Sequence, residues 1–130
     1  MRRIGYLAIG AILGCVITAA VLHAQNASAP DAVKLTPQYY TVRVDNERVR
    51  VVDYHLKPGE REPMHSHLPG VAYVIGGAKL RNTFPDGTSA EGMLNPGDVH
   101  WREGNVVHAV ENIGQTEAHA IIVELKAQHR

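Results

Sequence analysis

His65 and His67, separated only by Ser66, and His108 about forty residues later are the side chains here whose type and spacing could do chemistry. Residues two apart on an extended strand share a face, so the first two imidazoles can converge on one ion. His108 lies in the strand-forming run Asn105-Val106-Val107-His108-Ala109-Val110-Glu111-Asn112, which can carry a third imidazole opposite the pair across a small barrel. Three such ligands on a divalent transition metal leave positions open for water, substrate or oxygen. The spacing does not choose among Fe, Zn, Mn, Ni and Cu.

The elements that must position these histidines read as short strands. Alternating segments cover 39–44, 48–56, the histidine strand itself, 71–75, 79–84, 88–94, 99–102, 106–112 and 118–125. The phase change at Val51-Val52 predicts a bulge in the second of them, since a regular strand cannot turn both inward. Gly and Pro turns separate the segments, and no amphipathic helix follows the N-terminal stretch, a pattern of an all-β sandwich or barrel.

The charge balance narrows the partners. Thirteen basic and thirteen acidic side chains in 130 residues leave no net field to attract nucleic acid. The only cysteine, Cys15, lies in the N-terminal apolar run, so metal binding must rest on His and oxygen donors. Arg2-Arg3 precedes that run, residues 4–22, and a small-residue cleavage point follows Ala24. Residues 1–24 thus read as a signal peptide, implying export to a bacterial periplasm, or as an uncleaved membrane anchor, since nineteen apolar residues can span a bilayer. Ile12-Leu13-Gly14-Cys15 also offers a lipoprotein box, although polar residues do not follow it. Residues 25–37, rich in Asn, Ser, Ala and Pro, have the composition of an extended linker with little fixed structure. Residues 38–130 are left as one domain.

Two stretches of that domain carry a family resemblance. Gly59, five residues, His65-Ser66-His67 and then Tyr73-Val74-Ile75-Gly76-Gly77 resemble the first motif of the cupin superfamily. Glu103-Gly104-Asn105-Val106-Val107-His108, with Asn112 four residues further on, is similar to the second. Phe84-Pro85-Asp86-Gly87-Thr88 and Asn95-Pro96-Gly97-Asp98 are similar to the turns of small single-domain cupins. The resemblance, over residues 38–126, implies a double-stranded β-helix, the cupin or jelly-roll barrel. It also implies a small-molecule ligand or substrate and a homodimer formed through the sheets. One departure matters: the metal-binding Glu of the family should fall at Gly70, Val71 or Ala72, and none is a carboxylate. A three-His site is the conservative inference, and the family includes iron oxygenases with three imidazoles.

Around the histidines, Tyr54, Tyr73, Phe84 and Trp101 are the aromatics available to line a pocket. His100 is a candidate base behind the ligands or a substitute ligand, and Arg81 a candidate anchor for a substrate carboxylate, against plainer readings of His100 as a surface or structural histidine and of Arg81 as an exposed arginine. Glu62 is out of phase with His65 and His67 and should face solvent. Glu60 lies in a turn, water is the default fourth ligand, and Asn112 should secure the turn at Gly114. Two functions of different class follow. One is a divalent-metal enzyme of small molecules, dioxygenase-like and suited to an anionic chelate such as an enolate or catecholate. The other is a non-catalytic exported module that binds or senses a metal or small ligand, favoured by the lack of any recognisable proton-transfer group beside the histidines. A metal-free barrel serving dimerisation is the plainest reading.

Overall fold

Period-two alternation is clearest in the central strands of the larger sheet. Along β9 (Ala118–Leu125), Ala118, Ala120, Ile122 and Glu124 are buried and their neighbours partly exposed; β2 (Val49–Leu56) repeats the pattern with Arg50, Val52, Tyr54 and Leu56. Such strands can bury one face only against a second layer. The computed structural model, which describes residues 28–104 and 106–127, supplies it. With β1 (Tyr40–Asp45), β4 (Gly70–Gly76) and β7 (Val99–Arg102), these strands form a five-stranded antiparallel sheet in the order β1-β2-β9-β4-β7. Facing it is a four-stranded sheet, β3-β8-β5-β6, made of β3 (Arg61–Ser66), β5 (Ala78–Thr83), β6 (Ser89–Leu94) and β8 (Val107–Asn112). Val52, Leu56, Ala120, Ile122, Leu80 and Val110 fill the space between. Every strand boundary lies within one residue of the expected one where both are defined.

Two expectations are corrected. The bulge is not in β2, which alternates without a break; it lies in the partner strand, where Val42 pairs with Val52 and Val44 with Val51, leaving Arg43 as the extra residue. Residues 25–37 are not simply extended either. Asp31 caps a one-turn helix, α1 (Ala32–Leu35), accepting a hydrogen bond from the Lys34 N–H, and a 3-10 turn at Pro37–Tyr39 leads into β1. Ala32 and Thr36 are buried, and the Asp31 carboxylate accepts two hydrogen bonds from Arg50, at 2.7 and 3.1 Å. Backbone and hydroxyl contacts from Ser66 to Ala29 and Pro30 fix the segment against the histidine strand. The proposed signal or anchor, residues 1–24, lies outside the described residues; among those described, no helix is long and apolar enough to cross a membrane.

At Gly70 the backbone of β4 lies close against that of β9. A Cβ there would sit 2.0 Å from the Val123 carbonyl oxygen, well inside contact distance. A side chain at this position cannot fit while β4 lies so close to β9, which excludes a carboxylate at this one of the three candidate positions. Gly70→Ala should therefore cost about 1–3 kcal/mol or more, read as a lowered urea midpoint; a change below about 0.5 kcal/mol, the range of neutral surface substitutions, would contradict the close approach.

Candidate metal centre

A second bulge, in β3, makes the centre. Glu62 pairs with Val110 and His65 with His108, so three steps along β3 match two along β8. The extra residue falls at Pro63-Met64, where a proline is tolerated because the ladder is interrupted. Glu62 and His65 therefore both turn inward despite their odd spacing. Glu62, expected in solvent, is only 2% exposed, and its carboxylate accepts hydrogen bonds from the hydroxyls of Tyr54 (2.8 Å) and Thr36 (3.2 Å).

His65, His67 and His108 meet. Their candidate ligand atoms lie within 4.8 Å of one another, and the ring planes are mutually steep, at 90°, 66° and 80°. Steep planes let each ring aim a nitrogen lone pair at a common point. The Nδ1–H of His65 donates to the Pro63 carbonyl at 2.8 Å, which leaves its Nε2 bare; that Nε2 is 2.8 Å from the Nε2 of His67. Two nitrogens bound to one ion at right angles are about 2.9–3.0 Å apart for metal–nitrogen bonds of about 2.0–2.1 Å.

The metal-free alternatives each carry a cost. A proton on His67 Nε2 satisfies His65 but strands a bare Nδ1 in a buried position 3.7 Å from the Glu124 carboxylate. A proton on Nδ1 instead suits Glu124 and sets two lone pairs against each other. His108 Nε2 is buried with no partner among the described residues in either case. A divalent ion resolves all three, so the residues fit one. Burial, reinforced by the neighbouring charge of Arg102 and the other rings, pulls His67 down to about 4 and His108 to about 3, so both are neutral ligands at pH 7.

The surroundings hold the rings in place. Glu124, 1% exposed and opposite Gly70 in the β4–β9 register, accepts a 2.5 Å hydrogen bond from Arg50 Nε. Burial alone would raise this carboxyl; His67 and Arg50 outweigh it and keep Glu124 ionised below its ordinary range. The relay Asp31–Arg50–Glu124 thus carries the α1 cap to the back of His67. Arg50, Glu124 and Arg102 were not singled out in the sequence; Arg50 and Glu124 are in phase with buried neighbours on their strands, whereas Arg102 lies on a largely exposed strand and shares the cavity side only with His100.

A cavity of about 160 Å³ opens beside the rings, lined by His67, His108, Glu62, Tyr54, His100 and Arg102 among others. Of the expected pocket residues, Tyr54 and His100 are here, His100 half-exposed and outside the triad. Tyr73 and Trp101 are not. They are 49% and 57% exposed on the outer face of the five-stranded sheet, because β4 and β7 turn Ala72, Val74, His100 and Arg102 inward instead. Phe84 sits at the β5–β6 turn, and Arg81 is outside the cavity, its guanidinium shared between Glu91 and Glu111. Asn112 accepts from the Gly114 N–H and donates to Leu56 and Thr116, securing the turn as expected.

A second group, Asp53, His55 and His119, gathers on the outside of β2 and β9. Asp53 Oδ1 is 2.9 Å from His119 Nε2 and 3.1 Å from His55 Nε2, but the two rings stack at 4.0 Å and 21°. An ion shared by stacked rings would sit out of the plane of at least one. This group is a hydrogen-bonded surface cluster.

Comparison with solved structures agrees with this architecture. A cupin domain from Bordetella pertussis Tohama I is 31% identical, over 76% of this chain and 97% of that one, with a TM-score of 0.63. This chain belongs to the cupin superfamily. An RmlC-like cupin with a double-stranded β-helix fold from Methanocaldococcus jannaschii is 20% identical (67% and 80% covered, TM-score 0.53), and the polyketide cyclase RemF of Streptomyces resistomycificus 18% (70% and 66% covered, TM-score 0.52); likeness at that level is one of fold. No protein-family model matches the sequence, and no curated protein does.

The depressed histidines set a pH dependence for the metal-free protein. Unfolded imidazoles take up protons near pH 6.5, whereas His67 and His108 resist until about 4 and about 3. Unfolding therefore binds protons below pH 6.5, and stability falls as pH falls through that window, by up to ~1.4 kcal/mol per pH unit for each ring. Urea midpoints should drop steadily from pH 7 to pH 4, and the drop should shrink in His108→Gln; a flat profile in the parent protein would contradict the burial of neutral rings.

Proposed function

We propose that the chain holds one divalent transition-metal ion on His65, His67 and His108 and presents it to a small molecule in the barrel, as a three-His dioxygenase-like enzyme. The single observation that carries this reading is the crowding of imidazole nitrogens in a buried place with no proton arrangement that satisfies them. The ion would supply Lewis acidity and, if it is iron, redox chemistry with dioxygen. The protein's own share is binding, orientation and proton handling. A cavity of about 160 Å³ is close to the roughly 150 Å³ that holds a benzene, so the ligand is a compact one, of the size of a diol, a diketone or a short acid. Tyr54 and Thr36 hold Glu62 on the cavity wall by both oxygens, and this carboxylate is the proton-transfer candidate the sequence did not reveal.

Protein purified without tag or chelator should contain close to one ion per chain, falling below a tenth in His65→Ala and in His108→Ala. Full retention in both would end the metal reading. Oxygen uptake with diketones, aromatic diols or thiols separates the enzyme from the alternative, an exported module that binds without turnover. Glu62→Gln should keep the ion and lower turnover at least tenfold, whereas unchanged turnover would remove Glu62 from the chemistry.

Export and pairing belong to the same proposal. The basic and apolar start of the chain supports export, and the outer face of the five-stranded sheet supports a second copy as partner. Trp101 lies beside Val71, and Val99 beside Tyr73, in adjacent register positions, with Ile75 also 43% exposed. Such a contiguous apolar face is characteristic of an interface. Trp101→Glu should shift the protein from dimer to monomer in sedimentation; a parent that is already monomeric would refute the pairing.

A further inference from the structure

Arg102 is the unexplained charge of the cavity. It ends β7, beside Gly70, and its guanidinium lines the same space as His67, His108 and Glu62. Its Nη1 is buried without a hydrogen-bond partner, and no carboxylate pairs with it among the described residues. The other arginines with a structural task show the contrast: Arg50 is held by Asp31 and Glu124, Arg81 by Glu91 and Glu111. A buried guanidinium N–H left unpaired is costly, and its planar fork matches a carboxylate or an enolate.

We propose that Arg102 makes this cavity a receptor for a small organic monoanion, a carboxylate or enolate no larger than a benzoate, gripped beside the histidine cluster. The proposal deepens the functional reading above, resting on the cavity being the ligand site and not on the ion. The hydrogen-bond inventory supports it: both oxygens of Glu62 are already held by hydroxyl donors, and Glu124 is paired with Arg50. Arg102 is therefore the group with capacity to spare. That its charge helps to depress both His67 and His108 places it within electrostatic reach of the triad. Arg81, the arginine the sequence offered for this task, sits on the far side of the sheet from the cavity wall and is already paired.

The test uses the full chain, metal-stripped and metal-loaded, titrated calorimetrically with acetate, propionate and benzoate and with their amides. The parent should bind at least one of the three acids about tenfold or more tightly than its amide in the stripped form, because a charged hydrogen-bond pair is worth at least that much. Arg102→Gln should remove the preference and leave amide affinity unchanged, and Arg102→Lys should keep part of it, losing the fork but not the charge. Absence of any acid preference in the stripped parent, or its persistence in either folded Arg102 variant at full strength, overturns the assignment. A preference that appears only with metal and ignores Arg102→Gln credits the ion and also overturns it. Loss of the ion in His65→Ala with the acid preference intact would leave this inference standing apart from the metal reading.

Discussion

The structure turns on the crowding of three imidazole nitrogens in a space without water's freedom to separate them. Neutral rings cannot all satisfy their Nε2 atoms among themselves, and protonated rings would repel in a low dielectric. The surrounding chain makes the crowding worse in one sense and useful in another. The Pro63 carbonyl accepts the Nδ1–H of His65, and Glu124 stands behind His67, so the lone pairs are turned toward each other. Carboxylates and carbonyls behind imidazoles are how proteins prepare rings to bind cations. The relay from Glu124 through Arg50 to Asp31 ties that preparation to a helix in the segment before the barrel.

The fold supplies rigidity at little entropic expense. His65 and His108 face each other directly across the β3–β8 ladder, so their separation is set by backbone hydrogen bonds and not by loop ordering. The one-residue bulge before His65 gives the site its carboxylate, since it brings Glu62 to the same face. In the superfamily pattern the acid comes from the next strand; here that strand has Gly70 under the Val123 carbonyl, and acids arrive instead from β3 and β9. The resulting space is small and is lined by a guanidinium with an unpaired N–H, the basis for proposing a compact anionic ligand.

Much of this was legible in the residues. Strand limits followed from alternation and from Gly and Pro turns, and the histidine spacing pointed to one face. Most of the failures concern strand parity, either where it breaks or where it was set aside. Parity breaks at Pro63-Met64, which hid Glu62, and the Val51-Val52 doublet pointed to a bulge that the neighbouring strand provides at Arg43. Tyr73 and Trp101 were assigned inward for their aromatic character, although their neighbours Ala72 and Arg102 hold the inward parity. Arg50 and Glu124 were readable as charges in buried phase. The helix at α1 was not, because its stability comes from Arg50 and the barrel wall and not from its own four residues.

The most direct measurement of the central claim is X-ray absorption at the edge of whichever first-row metal accompanies the purified chain. The account predicts about three imidazole nitrogens at about 2.0–2.2 Å with the outer-ring scattering of histidine, lost together in His67→Ala. A metal shell of oxygen atoms alone, or one unchanged by that substitution, would contradict it.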